Sequence, residues 1–179
     1  MPTLADLAAA QKTLSGTLDW TKPETETGYI WLNAAMDIDG VTVAGLVLHL
    51  GCYFDRPDCS VTSEIRLARL PARRSIPLMR VDWRSLQDGH SNRRQRGHAL
   101  SGKRVSNSHI HAFEYNWMTA QGKMQSGNLP FADELERNLT TFREVCAYIG
   151  ERFRITNTDV IPTPPWEQSL FSRLDDGTR

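Results

Sequence analysis

YIWLNAAMDIDGVTVAGLVLHLGCYF, residues 29–54, decides the fold. From Tyr29 to Ile38 the residues alternate. Ile30, Leu32, Ala34, Met36 and Ile38 share one face of an extended chain, as the two-residue period of a strand requires. Asp39-Gly40 follows, and both residues tolerate the positive φ of a type I′ hairpin turn. The return strand runs from Val41 to about Phe54. Ala44, Leu46, Leu48, Leu50 and Cys52 lie on one side, and Val41, Val43, Val47 and His49 on the other. Both sides are largely apolar, which predicts a central strand covered on both faces by a helix, a tail or a partner subunit.

Outward from this hairpin, Val61–Arg69 and Ile76–Trp83 read as two more strands, the second with Met79, Val81 and Trp83 inward. Residues 84–107 contain Gly89, Gly97 and Gly102 and few apolar side chains, and read as a long basic loop. His109–Trp117 reads as a fifth strand, with His109, His111, Phe113, Tyr115 and Trp117 on one face. Phe131, Leu135, Leu139, Phe142, Cys146, Ile149 and Phe153 form an apolar stripe that predicts one long helix from about residue 128. Residues 3–14 predict a short N-terminal helix capped by Thr3. The expectation is a single α+β domain over residues 1–155: a mainly antiparallel sheet of about five strands, one long C-terminal helix packed on it and a short N-terminal helix. A Pro-containing tail, 156–179, follows.

The 179 residues carry no net charge, with 21 basic and 21 acidic side chains, but the charge is polarised. Eleven basic residues lie between Arg66 and Arg104 against only Asp82 and Asp88, a local charge of +9. Ten of the eleven are Arg, whose planar fork grips two phosphate oxygens at once. Such a field is the footprint of a polyanion-binding surface, and Trp83, Phe113, Tyr115 and Trp117 offer rings to stack on bases. The bland alternative is a solvated face matched to acidic residues such as Glu136 and Glu151, within the chain or between copies of it.

The Arg-rich stretch leads into His109-Ile110-His111. On a strand, residues two apart project from one face, about 7 Å apart at Cα. Two such imidazoles can act as an acid–base pair, meet one metal ion, or sit as hydrogen-bonded core residues. For a metal, His90, His98, Asp82 or Asp88 would supply a third ligand. His49, alone among Val and Leu, reads as a satisfied core residue. There is no Gly-rich phosphate loop, no Gly-x-Ser-x-Gly and no His-Glu-x-x-His, which disfavours those enzyme classes. Three cysteines without a Cys-x-x-Cys, and no basic leader or long apolar run, point to a cytoplasmic protein not bound to membranes.

The string His90-Ser91-Asn92, then Ser108-His109-Ile110-His111-Ala112-Phe113, Trp117, Phe131, Phe142 and Cys146 resembles an uncharacterised bacterial domain family. In that family a His-x-Asn stretch precedes a His-x-His-x-aromatic strand and a C-terminal helix. The resemblance covers residues 78–150 and implies no particular activity. The Gly-rich segment expected between strand and helix is missing here.

The leading functional expectation is a cytoplasmic nucleic-acid-interacting protein, a metal-independent endoribonuclease of toxin type. His109 and His111 would exchange protons with the ribose 2′-hydroxyl and the leaving 5′-oxygen, with His90 beside them. Arg84, Arg104 or Arg80 would stabilise the phosphorane. Arg80, Arg93, Arg94, Arg96 and Lys103 would hold the nucleic acid. That mechanism calls for no metal and no cofactor. The alternatives are a non-catalytic module that binds nucleic acid, an acidic protein partner or a second copy of the chain, and a metal-dependent hydrolase.

Overall fold

The computed structural model describes residues 2–68 and 75–167. The elements in chain order are α1 (Leu4–Ala9), β1 (Thr13–Ser15), β2 (Tyr29–Ile38), β3 (Val41–Tyr53), β4 (Val61–Ala68) and β5 (Ser75–Trp83). Then come β6 (His90–Ser91), β7 (Arg104–Val105), β8 (His109–His111), α2 (Phe113–Asn116), β9 (Trp117–Met118), β10 (Lys123–Met124), β11 (Asp133–Glu134) and α3 (Phe142–Phe153). Seven strands form one antiparallel sheet in the order β1-β2-β3-β4-β5-β8-β11. The architecture is α+β, with two strands more than expected. The additions, β1 and β11, are short edge strands that carry little alternation of their own.

The β2–β3 turn is as expected: Asp39 and Gly40 take φ of 51° and 75°, the two left-handed residues of a type I′ turn. One sheet face is apolar. Leu32, Leu50, Val81 and Ile110 are buried there against Val145, Cys146, Ile149 and Phe153 of α3 and Leu7 of α1. Burial of this face supplies most of the driving force for the fold. The opposite face is polar. The strand register sets Asn33, His49, Glu64, Arg80 and His111 side by side across five strands. His49 therefore differs from the expected core residue: its Nδ1 meets Asn33 Oδ1 at 2.8 Å on this half-open face.

Two expected elements are shorter than their apolar spacing suggests. The N-terminal helix ends at Ala9, and Thr13–Ser15 is instead an edge strand paired with β2. The long helix begins at Phe142, where Thr141 and Glu144 form a reciprocal capping box. Residues 131–134 stay out of the helix because two buried amide side chains grip the backbone of Phe131 and Ala132. Asn116 Oδ1 accepts from Phe131 N at 3.0 Å while its Nδ2 donates to Phe131 O at 2.8 Å. Asn92 makes the same pair of bonds with Ala132, at 2.9 and 2.8 Å. These bonds replace the intrahelical ones that the sequence spacing suggests.

The expected 109–117 strand also ends early. After His111 the chain turns into α2, so Phe113, Tyr115 and Trp117 do not continue the histidine face. Of the expected tail, residues 156–167 pack on the body. Ile161 is buried, and the Trp166 ring stands edge-on to Phe142 at 5.7 Å. Residues 168–179, and Arg69, Arg73 and Arg74 of the basic stretch, lie outside the described residues.

Candidate functional site

The polar face carries a buried cluster where β5 meets β8. Because Val81 points into the core, Arg80 and Asp82 on either side of it point out. Antiparallel pairing sets Arg80 opposite His111 and Asp82 opposite His109. The short β6–β7 pair folds over this patch and delivers His90. Its ring lies 4.7 Å from that of His109, edge-on, and 5.4 Å from that of His111, stacked at 16°. His109 and His111 are almost fully buried, whereas His90 is partly open. One ligand nitrogen from each of the three rings falls within 4.8 Å of the other two.

Hydrogen bonds fix what these rings present. His109 Nδ1 lies 2.7 Å from the carbonyl of Ser106, and His111 Nδ1 lies 2.6 Å from the carbonyl of Leu129. A carbonyl oxygen only accepts, so both Nδ1 atoms carry the proton. In the neutral rings the Nε2 lone pairs then face the centre of the cluster. Both face Asp82 Oδ2, at 3.3 Å from His109 and 3.5 Å from His111. Two lone pairs aimed at a carboxylate repel unless a cation, or a proton on Nε2, lies among them.

Arg80 supplies part of that charge. Its Nε donates to Asp82 Oδ2 at 2.8 Å and its Nη2 to His111 Nε2 at 2.8 Å. Thr62 Oγ1 donates to the other oxygen of Asp82, also at 2.8 Å. Glu64 stands behind, with Oε2 3.9 Å from Arg80 Nη1. Burial alone would push the Asp82 carboxyl up. Its contacts with His109 and His111, and the charge of Arg80, instead hold it well below the usual carboxylate range. Burial lowers His111 to about 4, so this imidazole is neutral at pH 7. Burial, and then the neighbouring His109, also lower His90.

The other expected site residues lie elsewhere. The Arg84 guanidinium sits over the Trp83 ring at 4.7 Å and donates to the Asp58 carbonyl, so it is turned away from the histidines. Arg104 donates to the backbone carbonyl and carboxylate of Asp88, because Val105 takes the inward position of β7. Neither can act on a group held at His109 and His111 in this conformation. Arg93 is bound to Ser126, Gln95 and Gln125, and Lys103 is paired with Asp133. Arg94 and Arg96 are exposed. The basic stretch is thus several separate local pairings, with Arg80 alone of the expected polyanion-binding residues placed inside the cluster. Two proposed metal ligands also fall away: His98 stacks on Phe131 at 3.5 Å, and Asp88 faces solvent. Nor is Trp83 open for base stacking, since its buried Nε1 donates to the Leu139 carbonyl at 3.0 Å.

Thr62 and Glu64 are cluster residues that the sequence does not single out, and Asp82 stands out there only as one of four alternative third metal ligands. The available signal was the alternation of Leu78 to Trp83, which places Arg80 and Asp82 together on the face away from the core. Gly89, inside the expected basic loop, sits where β6 meets β7. It has φ of 63°, and a Cβ there would lie 1.8 Å from the Val105 carbonyl. Gly89→Ala is therefore expected to push β6 off β7 and displace His90 while leaving the main sheet intact. Histidine resonances of His90 should shift most, and thermal stability should fall by about 1–3 kcal/mol. Unchanged His90 resonances would contradict this.

Comparison with models of known protein families, with curated proteins and with solved structures finds no match for this chain. No helix among the described residues is long and apolar enough to cross a membrane.

Proposed function

We propose that His90, His109 and His111, with Asp82 beside them, bind a divalent transition-metal ion, zinc by donor type, and that the chain is a metal-assisted hydrolase of nucleic-acid phosphodiesters. The observation that carries this reading is the pair of Nδ1–carbonyl hydrogen bonds. They fix the proton of both imidazoles on Nδ1 and turn both Nε2 atoms toward one carboxylate, the orientation that outer hydrogen bonds give to metal-ligating histidines. Three imidazole nitrogens, with the fourth position left to water, suit a catalytic zinc. Tetrahedral bonds of 2.0–2.1 Å require ligand atoms about 3.3 Å apart, so binding would draw the cluster inward from its present spacing. The ion would take the His111 lone pair from Arg80, leaving that guanidinium between Asp82 and Glu64.

A zinc ion lowers the pKa of a bound water to near neutrality and supplies a hydroxide nucleophile. Its oxygen would bond to phosphorus as the bridging P–O bond breaks, with the water's proton ending on the leaving oxygen. Arg80, on the rim of the centre, would neutralise charge on the phosphoryl oxygens. This reading is placed ahead of the metal-free one because burial lowers His111 to about 4, which suits a metal ligand or a base and not a general acid.

The metal-independent ribonuclease remains the second reading. It is favoured by the direct Arg80–His111 bond, which lets a guanidinium stand where the ion would. Elemental analysis of protein purified without a His-tag decides between them. About one zinc per chain is expected, with RNA cleavage that EDTA abolishes and added zinc restores. Cleavage undiminished by EDTA would select the second reading. Metal-free protein without cleavage, even after zinc is added, would remove both.

A further inference from the structure

The polar face does not stop at the histidine cluster. The register carries it from His109 through Asp82, Thr62 and Gly51 to Trp31 on β2. Three inter-strand steps of about 4.8 Å place Trp31 about 14 Å from Asp82. Around Trp31 lies an aromatic patch, all of it partly open. Tyr29 stacks with Trp31 at 6.3 Å and 28°, and Tyr53 meets Tyr29 edge-on at 5.5 Å. Arg56 covers the Tyr53 ring at 5.5 Å.

Gly51 joins the patch to the centre. A Cβ at this position would lie 1.7 Å from the Tyr29 hydroxyl. The Tyr29 ring thus crosses β3 through a gap that only glycine leaves, and its hydroxyl reaches into the electrostatic field of Arg66 and Asp82. Arg66 completes the connection. It lies 3.7 Å from Glu64, and its buried Nε has no hydrogen-bond partner among the described residues.

We propose that Tyr29, Trp31, Tyr53 and Arg66 form a subsite for single-stranded RNA on the strand side of the centre. The rings would stack on unpaired bases, and Arg66 would hold a phosphate between them and Asp82. Aromatic rings interleaved with guanidinium groups suit a single strand, whose bases expose their faces. A duplex hides those faces. The inference rests on the reading that the substrate is a nucleic acid, and it supplies a substrate class and a polarity of approach.

The test separates binding from chemistry. Protein treated with EDTA is titrated into a fluorescein-labelled oligouridylate of about ten residues, and anisotropy is read at low and moderate salt. Saturable binding that weakens with salt is expected, with quenching of tryptophan emission. Trp31→Ala and Tyr53→Ala should each weaken binding about tenfold, and Trp31→Phe much less. A duplex of the same length should bind more weakly. Circular dichroism and melting confirm that each variant is folded; should Tyr53→Ala fail to fold, the Trp31 pair carries the comparison. Equal affinity of wild type and Trp31→Ala would overturn the subsite, and so would stronger binding of the duplex. Neither result bears on the metal content, so the subsite and the metal centre stand or fall separately.

Discussion

Asp82→Ala is expected to weaken metal binding, hydrolytic activity and the stability of the fold together. Asp82 is the group that joins the strand side of the cluster together. It accepts from Arg80 and Thr62 and faces both buried histidines. Its removal leaves the Arg80 guanidinium, only 16% exposed, with Glu64 at 3.9 Å as its remaining charge partner. Breaking a buried pair from one side costs about 3–5 kcal/mol, because the surviving charge is stranded. Metal affinity should fall about 10–100-fold, since His109 and His111 lose the common neighbour that orients them. The double variant Arg80→Met/Asp82→Ala separates the two effects. It should regain much of the stability, by removing the stranded charge, but none of the metal affinity. Zinc binding by Asp82→Ala at wild-type affinity, measured by competition with a chromogenic chelator, would refute the role given to Asp82.

His111→Ala provides the contrasting case. It removes a ligand but strands no charge, so the same assays should show loss of metal with a smaller loss of stability. What remains unpaired is the Leu129 carbonyl, a neutral acceptor worth about 1–3 kcal/mol when buried, and one Arg80 nitrogen, whose guanidinium keeps its pairing with Asp82. Asp82 therefore organises both the charge and the ligands of the site, while each histidine supplies a ligand alone.

The central sheet was legible in the sequence because its signals are local. Asp39-Gly40 fixes a turn, and alternation from Ile30 to Cys52 fixes which side is buried. The same alternation over Leu78–Trp83 put Arg80 and Asp82 on the outer face. The site was less legible because its assembly is not local. Nothing between His90 and Arg104 announces that β6 and β7 pair and fold His90 onto His111. The pairing of β5 with β8 crosses an intervening loop. The false helix over 128–141 has a physical explanation. Phe131, Leu135 and Leu139 recur every four residues and are indeed sheltered or partly sheltered. Asn92 and Asn116, distant in sequence, satisfy the backbone of 131–132 in an extended form, and helical periodicity cannot reveal that competition. The Arg-rich stretch shows the same limit of a one-dimensional pattern. Charge density along the chain says nothing about partners across it, and Asp88, Asp133 and Ser126 absorb cations that the sequence left unpaired.

Lys12→Met is expected to destabilise the protein by about 3–4 kcal/mol, far from the site. Lys12 is fully buried, and its Nζ donates to the carbonyls of Ala8 at 3.0 Å, Ala10 at 2.7 Å and Phe153 at 3.1 Å. Ala8 and Ala10 belong to the end of α1, and Phe153 is the last residue of α3. One ammonium therefore satisfies carbonyls at two helix ends, where helices leave acceptors unpaired and partial negative charge accumulates. Opposing this is the cost of burying a charge, which lowers Lys12 to about 8, aided by the nearby Arg154. Methionine removes that cost but leaves three buried acceptors, at about 1–3 kcal/mol each before relaxation. The acceptors outweigh the relieved charge, so the net effect is loss. The pH dependence gives a second readout. In the window between about 8 and the ordinary lysine value near 10.4, the unfolded chain holds the proton and the folded chain does not. Folding stability of the wild type gains from rising pH there, and the gap to Lys12→Met should widen across that window. Denaturant titrations at pH 7 and pH 9.5 would measure both effects. A variant as stable as wild type would mean that desolvation of the ammonium cancels its three hydrogen bonds, and that α1 is held to α3 by Leu7 and Ala8 alone.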